Sequence, residues 1–314
     1  MTQLCIAARS TGIPPVTWLA IATPHKILSP NMEIGGLDSD GRAFKNAGEM
    51  WGEEIGGEEE SNKRQEWYTE GVRYWQGVEA SVDGVLGGYG HVNEADVKNS
   101  EAFLKGLLIE RLGVDSPHLV ALDCGSGIGR VTRNLLLKFF NEVDLLEPVS
   151  HFLEAARDNL SPENFADPDS HKAVNFYCMP LQEFTPEFGR YDVIWIQWCI
   201  GQLVDDDFIS FFNRAKAGLK PNGLFVIKEN IATQGCPPSL CMNAYIHGLL
   251  LNSMFYCSLS SYPYCECYGG QGNKTSRTDR SVTRSDLYFK ELFSQCGLHI
   301  YKMKVYCQIL PPGI

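Results

Sequence analysis

The first thirty residues contain no aspartate or glutamate, although the 314-residue chain carries 38 acidic and only 27 basic side chains. Acid-poor, weakly basic through Arg9 and Lys26, and supplied with Ser and Thr, residues 1–31 have the composition of a targeting segment. Translation upstream of a later start at Met32 would give the same composition, and the change of character at that point favours this second reading. A cytoplasmic and nuclear location is then expected, and an organellar one only if residues 1–31 act as a transit peptide. No apolar run reaches the ~18 residues of a membrane helix, so no membrane partner is expected. Eleven cysteines form no regular framework and show no C-x-x-C spacing, which argues for a reduced compartment and against a metal site. Positive charge is scarce as well. A formal net charge of −11 disfavours nucleic acid and suits a cationic substrate.

What is present is one large domain's worth of alternating elements. Residues 32–65 are glycine-rich and acidic, with Glu58, Glu59 and Glu60 in a row, and read as flexible. Order is expected from Glu66. An aromatic helical segment (Trp67, Tyr68, Trp75) is followed by a loop with Gly84, Gly87, Gly88 and Gly90. Phe103, Leu104, Leu107 and Leu108 have helical spacing. Together these pieces predict an N-terminal helical cap. Five strands then alternate with helices, at about residues 118–122, 143–146, 175–179, 191–198 and 224–228, with residues 220–223 as a turn before the last. The alternation predicts an α/β fold with a doubly wound, Rossmann-like parallel sheet.

The chain is organised around residues 120–130, VALDCGSGIGR: a buried strand, a glycine turn and a helix start. Gly125, Gly127 and Gly129 let the backbone turn sharply and approach a ligand, and a helix N-terminus offers free N–H groups. The spacing is G-x-G-x-G rather than the dinucleotide fingerprint, which suits S-adenosylmethionine, a cofactor with no pyrophosphate. A plain tight turn would look the same. Glu147, at the end of the second strand, is placed to accept both ribose hydroxyls, the alternative being a solvated carboxylate. Gln197 and Trp198 end the fourth strand where it meets the cofactor. Alternation is read as setting Trp195 and Trp198 apart from Gln197, with Trp195 in the core and Trp198 in the site.

These residues resemble the α-N-terminal protein methyltransferases, which methylate Xaa-Pro-Lys amino termini, and the plant-type members most. The resemblance rests on VDGVLGGYG at 82–90, ALDCGSGIGR at 121–130, LQEFTP at 181–186, YDVIWIQW at 191–198 and KEN at 228–230. It covers about residues 66–232 and returns at 281–304. It implies a class I methyltransferase fold, S-adenosylmethionine as cofactor, protein substrates with Xaa-Pro-Lys N-termini, and a monomer. By the same resemblance Gly125 and Arg130 hold the cofactor's methionine end, with Arg130 pairing its carboxylate. Glu147 holds the ribose, and Leu181, Gln182 and Gln197 line the adenine and cofactor pocket. Trp75, Trp198, Leu86 and Gly87 shape a substrate channel, Asn230 bonds the substrate backbone, and Asp279 keeps the place of a family carboxylate that accepts a proton.

Three departures follow from the comparison with the family pattern. Gln202 stands where the family has a His, and an amide cannot take up a proton. Residues 236–276 read as a foreign insertion with Cys236, Cys241, Cys257, Cys265 and Cys267, and the second family carboxylate would fall at Ser276. Residues 305–314, with Pro311 and Pro312, replace the family's last strand, so the sheet is expected to lack a strand and leave backbone groups unpaired. An alternative is therefore a cofactor-binding but catalytically impaired isoform. A small-molecule methyltransferase is a further reading of the same fold.

Overall fold

The computed structural model describes residues 35–56, 61–111, 118–164, 171–232, 242–251 and 273–308. The expectations for residues 1–31, for Glu58–Glu60 and for all five insertion cysteines lie outside them.

In chain order, β1 (Gly36–Asp38) and β2 (Ala43–Phe44) precede α1 (Ala47–Glu54), α2 (Ser61–Gln76), α3 (Val82–Val85) and α4 (Asn93–Arg111). The alternating part is β3 (Val120–Cys124), α5 (Arg130–Asn134), β4 (Glu142–Leu146), α6 (Ser150–Asn159), β5 (Lys172–Tyr177), β6 (Tyr191–Gln197), α7 (Asp205–Ala215) and β7 (Leu219–Asn230). The chain continues with β8 (Met242–Leu251), β9 (Asn273–Ser276), β10 (Ser281–Thr283), α8 (Asp286–Gln295) and β11 (Leu298–Gln308).

Seven strands form the main sheet in the order β11-β8-β7-β6-β3-β4-β5, and β10-β9-β1-β2 form a small second sheet. Strands β3 to β7 are parallel, while β8 is antiparallel to both β7 and β11. From β3 the order runs outward to β4 and β5, and from β6 to β7 on the other side. The carboxyl ends of β3 and β6 therefore flank the point where strand order reverses, the crevice in which open α/β sheets bind ligands.

Every residue of β3 and β6 is buried, because helices cover both faces of the sheet. On one face α7 presents Phe208, Phe211, Phe212 and Ala215, and α8 presents Tyr288, Phe289, Leu292 and Phe293. On the other, α4 contributes Phe103, Leu104, Leu107 and Leu108 against Ala121, Val193 and Val226. Burying each such aromatic or leucine side chain stabilises by about 1.5–3 kcal/mol.

Four expectations change. Residues 35–56 are not a flexible stretch: Phe44, Met50 and Trp51 join the α7/α8 core, and Trp51 Nε1 donates to Asp205 Oδ2 at 2.8 Å. Residues 220–223 are not a free turn but lie within β7, with Asn222 at φ 69° and a register shift against β6. The helix after the glycine turn is short, five residues of α5 and then a 3₁₀ turn. The missing strand is not missing: β8, from the stretch expected to be a foreign insertion, occupies the slot between β7 and β11, and β11 runs to Gln308 rather than Lys304.

Candidate active site

The glycine turn is built by backbone contacts. The N–H groups of Gly125 and Ser126 donate to Leu146 O at 2.8 and 3.2 Å, and Gly127 N donates to Glu147 Oε2 at 2.8 Å. These bonds tie the end of β3 to the end of β4. At Gly125, with φ +63°, a Cβ would fall 2.4 Å from Cys199 Cβ, so only glycine lets the β6 end pack here. The turn aims its amides at the strand end beside it, and the five-residue α5 adds no long helix dipole, so the expected helix-terminus contribution is small.

A cavity of about 160 Å³ opens above this turn. At one end stand Asp123, Gly125, Ser126, Arg130 and Glu147. Glu147 accepts from Gly127 N and from Val149 N at 3.0 Å, and burial lifts its carboxyl to about 7 against these bonds. Burial likewise lifts Asp123 to about 6, opposed by Thr132 Oγ1, which donates to it at 2.6 Å. Arg130 Nη1 donates to Asp96 Oδ2 at 2.7 Å and to Asn93 Oδ1 at 3.0 Å. Asp96 also pairs with Lys228 Nζ, and Gln197 Nε2 donates to it at 3.0 Å. Burial alone would raise the Asp96 carboxyl, but Lys228 and Arg130 outweigh that and hold it below its ordinary value.

The other end is aromatic. Trp67, Tyr68, Trp75 and Trp198 line it, with Gln202 and Arg280. Trp198 sits in the left-handed region at φ 54°, and its Nε1 is buried without a partner. The Arg280 guanidinium lies 5.7 Å from the Trp67 ring centroid and 3.5 Å from Glu54 Oε2.

Eight of the twelve sequence-predicted site residues line this cavity: Gly125, Arg130, Glu147, Leu181, Gln182, Gln197, Trp75 and Trp198. Four do not. Leu86 is turned into the interior at 8% exposure, and its neighbour Val85 lines the wall instead. Gly87 faces open space at φ +62°. Asn230 ends β7 outside the lining, its N–H held by Glu229 Oε1 at 3.0 Å. Asp279 accepts from Ser281 Oγ at 2.9 Å, and the next residue, Arg280, takes the place in the wall. Gln197 lines the cavity with its amide engaged, since Nε2 is held by Asp96 and Oε1 accepts from Trp195 Nε1 at 3.1 Å. Trp195 and Gln197 therefore share one face of β6, contrary to the alternation expected. Asp96, Trp67 and Arg280 were not anticipated. For Asp96 a signal existed: with Ser100 it continues the buried stripe of α4, where a carboxylate needs a reason.

S-adenosylmethionine carries a ribose diol, a charged amino-acid end and adenine. The donor set fits it: Glu147 keeps spare acceptor capacity, Arg130 is a cation in the wall, and Ser126 Oγ is buried without a partner beside a turn that admits no Cβ. Ligand site and sheet order together place the molecule among the class I methyltransferases that use this cofactor. Residues 63–237 match the family described as AdoMet dependent proline di-methyltransferase, and the chain belongs to that family. It is 55% identical over 276 residues to Alpha N-terminal protein methyltransferase 1 of Arabidopsis thaliana, spanning 87% of this chain and 85% of that protein. It is 45% identical over 172 residues to N-terminal Xaa-Pro-Lys N-methyltransferase 1 of Danio rerio, spanning 55% of this chain and 74% of that protein. The solved structure of a SAM-dependent methyltransferase from Leishmania major superimposes with a TM-score of 0.66 at 29% identity, covering 91% of this chain and 99% of that one.

Proposed function

We propose that this chain methylates the α-amino nitrogen of proteins that begin Xaa-Pro-Lys. The observation that carries this reading is the second half of the cavity. Three tryptophans and a tyrosine line one continuous space with the cofactor residues, a wall that takes a proline ring and an amine together. The printed names of the Arabidopsis thaliana and Danio rerio relatives support the same substrate class.

Bound S-adenosylmethionine supplies a methyl group on a sulfonium sulfur. The chain's own work is to hold and align. Arg130 would hold the carboxylate of the amino-acid end, Glu147 the ribose hydroxyls, and Leu181 and Gln182 would line the place of the base. Trp75 and Trp198 confine the substrate's first two residues, an alignment worth several kcal/mol. An α-amine with a pKa of about 8 is mostly protonated at neutral pH and must first lose a proton. The Gln202 amide cannot accept it, and Asp279 is not in the wall. Neither of the two positions that the family pattern points to therefore takes up this proton here.

Incubation with S-adenosylmethionine and a Ser-Pro-Lys peptide should raise the peptide mass in increments of one CH2, confined to the N-terminus by fragmentation. An unchanged mass with S-adenosylhomocysteine binding intact would reject the substrate assignment. A Ser-Ala-Ala peptide methylated equally well would reject its specificity.

A further inference from the structure

One carboxylate bonded to two residues of the cavity wall, Arg130 and Gln197, is more heavily engaged than packing requires. Asp96 comes from the first turn of α4, far in sequence from every group its carboxylate touches, and is 3% exposed. Its two oxygens take Arg130 Nη1 at 2.7 Å, Gln197 Nε2 at 3.0 Å, and Lys228 Nζ. Ser100, one turn further along α4, accepts from Lys228 Nζ at 2.9 Å and donates to Asp96 O at 2.8 Å. Arg130 and Lys228 are themselves 7% and 2% exposed.

Burying three charges costs several kcal/mol for each ion, and an apolar cluster of the same volume would hold α4 to the sheet at least as well. The arrangement does something an apolar cluster would not. It holds the three donors in one orientation relative to a single fixed carboxylate. Counted together, one anion and two cations leave a positive charge, and the cation among them that lines the cavity is Arg130. The same pair reaches the other half of the site. Arg130 Cζ and Lys228 Nζ each lie 5.7 Å from the centroid of the Trp198 ring, and Trp198 N donates to Lys228 O at 3.0 Å.

We propose that Asp96 is the positioning residue of this site: it aims Arg130 at the carboxylate-bearing end of the cofactor and, through Lys228, sets the Trp198 ring. The proposal rests on the S-adenosylmethionine reading and not on the peptide substrate. On that reading Arg130 meets the carboxylate and not the adenosine, so removing Asp96 weakens ligands that carry that carboxylate and spares those that lack it.

The test measures equilibrium binding of two probes by calorimetry. One is S-adenosylhomocysteine. The other is 5′-methylthioadenosine, which keeps the adenosine and the thioether but has no carboxylate. Lys228→Met is compared with Asp96→Asn/Lys228→Met, so that no buried lysine loses its carboxylate when the aspartate is removed. The expected result is a Kd for S-adenosylhomocysteine raised about tenfold by the loss of Asp96, the worth of one charge-assisted hydrogen bond, with methylthioadenosine changed less than twofold. Equal losses for both probes would make Asp96 a structural residue only, and unchanged affinity for both would overturn the proposal outright. If the double variant melts below the assay temperature, Asp96→Glu carries the test. It keeps the charge and displaces it by one methylene, and the same selective loss is expected, equal losses again rejecting the idea. Wild-type protein that binds neither probe would count against the cofactor reading itself, and a negative peptide assay leaves this experiment untouched.

Discussion

The two ends of the cavity are made in different ways. The cofactor end comes largely from one contiguous stretch, β3 and its glycine turn, closed by a carboxylate on the neighbouring strand. Its geometry is mostly backbone: amides of the turn donate to Leu146 O and Glu147, and glycines stand where a Cβ would collide. The substrate end is assembled from side chains on α2, on the segment after β6 and on the turn before β10. A site written in backbone depends on a few glycines. A site written in side chains changes its chemistry with a single substitution, such as the glutamine at position 202.

That contrast can be broken most forcefully at Gly125. Gly125→Ala places a methyl 2.4 Å from Cys199 Cβ in a left-handed conformation. Such strain alone costs about 1–3 kcal/mol, and the collision adds to it. S-adenosylhomocysteine binding measured by calorimetry should be lost. Gly189→Ala, at φ +63° with open space around it, is the control, and binding should survive there. Retained affinity in Gly125→Ala would mean that the cradle is not backbone-defined.

Trp198→Ala probes the other end. The expected outcome is a fall of about a hundredfold in kcat/KM for the peptide, carried by the loss of roughly 3 kcal/mol of aromatic contact, with a smaller change in cofactor affinity. A larger effect on the cofactor than on the peptide would erase the division into two ends. Gln202→His restores a group that can accept a proton, and steady-state rates at pH 7 should rise about a hundredfold, the low end of general base catalysis. Arg280→Ser removes a cation from the wall that meets a cationic substrate. A few-fold drop in peptide KM is expected, with cofactor binding unmoved.

The smallest effects are in pH. Burial raises Glu147 to about 7, and ribose hydroxyls donate most strongly to its ionised form, in which both oxygens accept. Binding of S-adenosylhomocysteine should therefore release a proton, and affinity should increase as pH rises through about 7. Calorimetry in buffers of different ionisation enthalpy measures that proton directly. For the fold itself the sign is opposite. Glu147, and Glu229 also raised by burial to about 7, favour the folded state while protonated, so that contribution is complete below the ordinary glutamate pKa near 4.5 and is lost as pH climbs through 7. Thermal melts of the cofactor-free protein should lose a few degrees between pH 5 and pH 8, and a rise over that window would contradict the assignment.

Legibility followed the same division. Strands β3, β4 and β6 announced themselves as short apolar runs, and the turn between Cys124 and Arg130 as glycines, because those signals are local. Glu147 could be placed by its distance along the chain. Asp96 could not be assigned, since its meaning comes from Arg130, Gln197 and Lys228, each brought from a different strand end. Asp279 kept the register of a family carboxylate, yet Arg280 took the wall, because a single residue's turn decides which side chain faces the cavity. Residues 35–56 looked flexible from their glycines and acids, and three buried aromatic or sulfur side chains, Phe44, Met50 and Trp51, were enough to hold them.

Strand β8 carries a consequence of its own. It lies between β7 and β11 through main-chain pairing along both edges, from Asn230 opposite Ala244 to Leu298 opposite Leu251. A central position in a sheet makes its demands in peptide groups, and every residue but proline supplies the same ones. The slot is thus a socket whose main-chain fitting is general, and residues 242–251 meet it on both edges. Its pairing with β7 ends at Asn230, so the strand that fills the slot also fixes the backbone at Glu229 and Asn230.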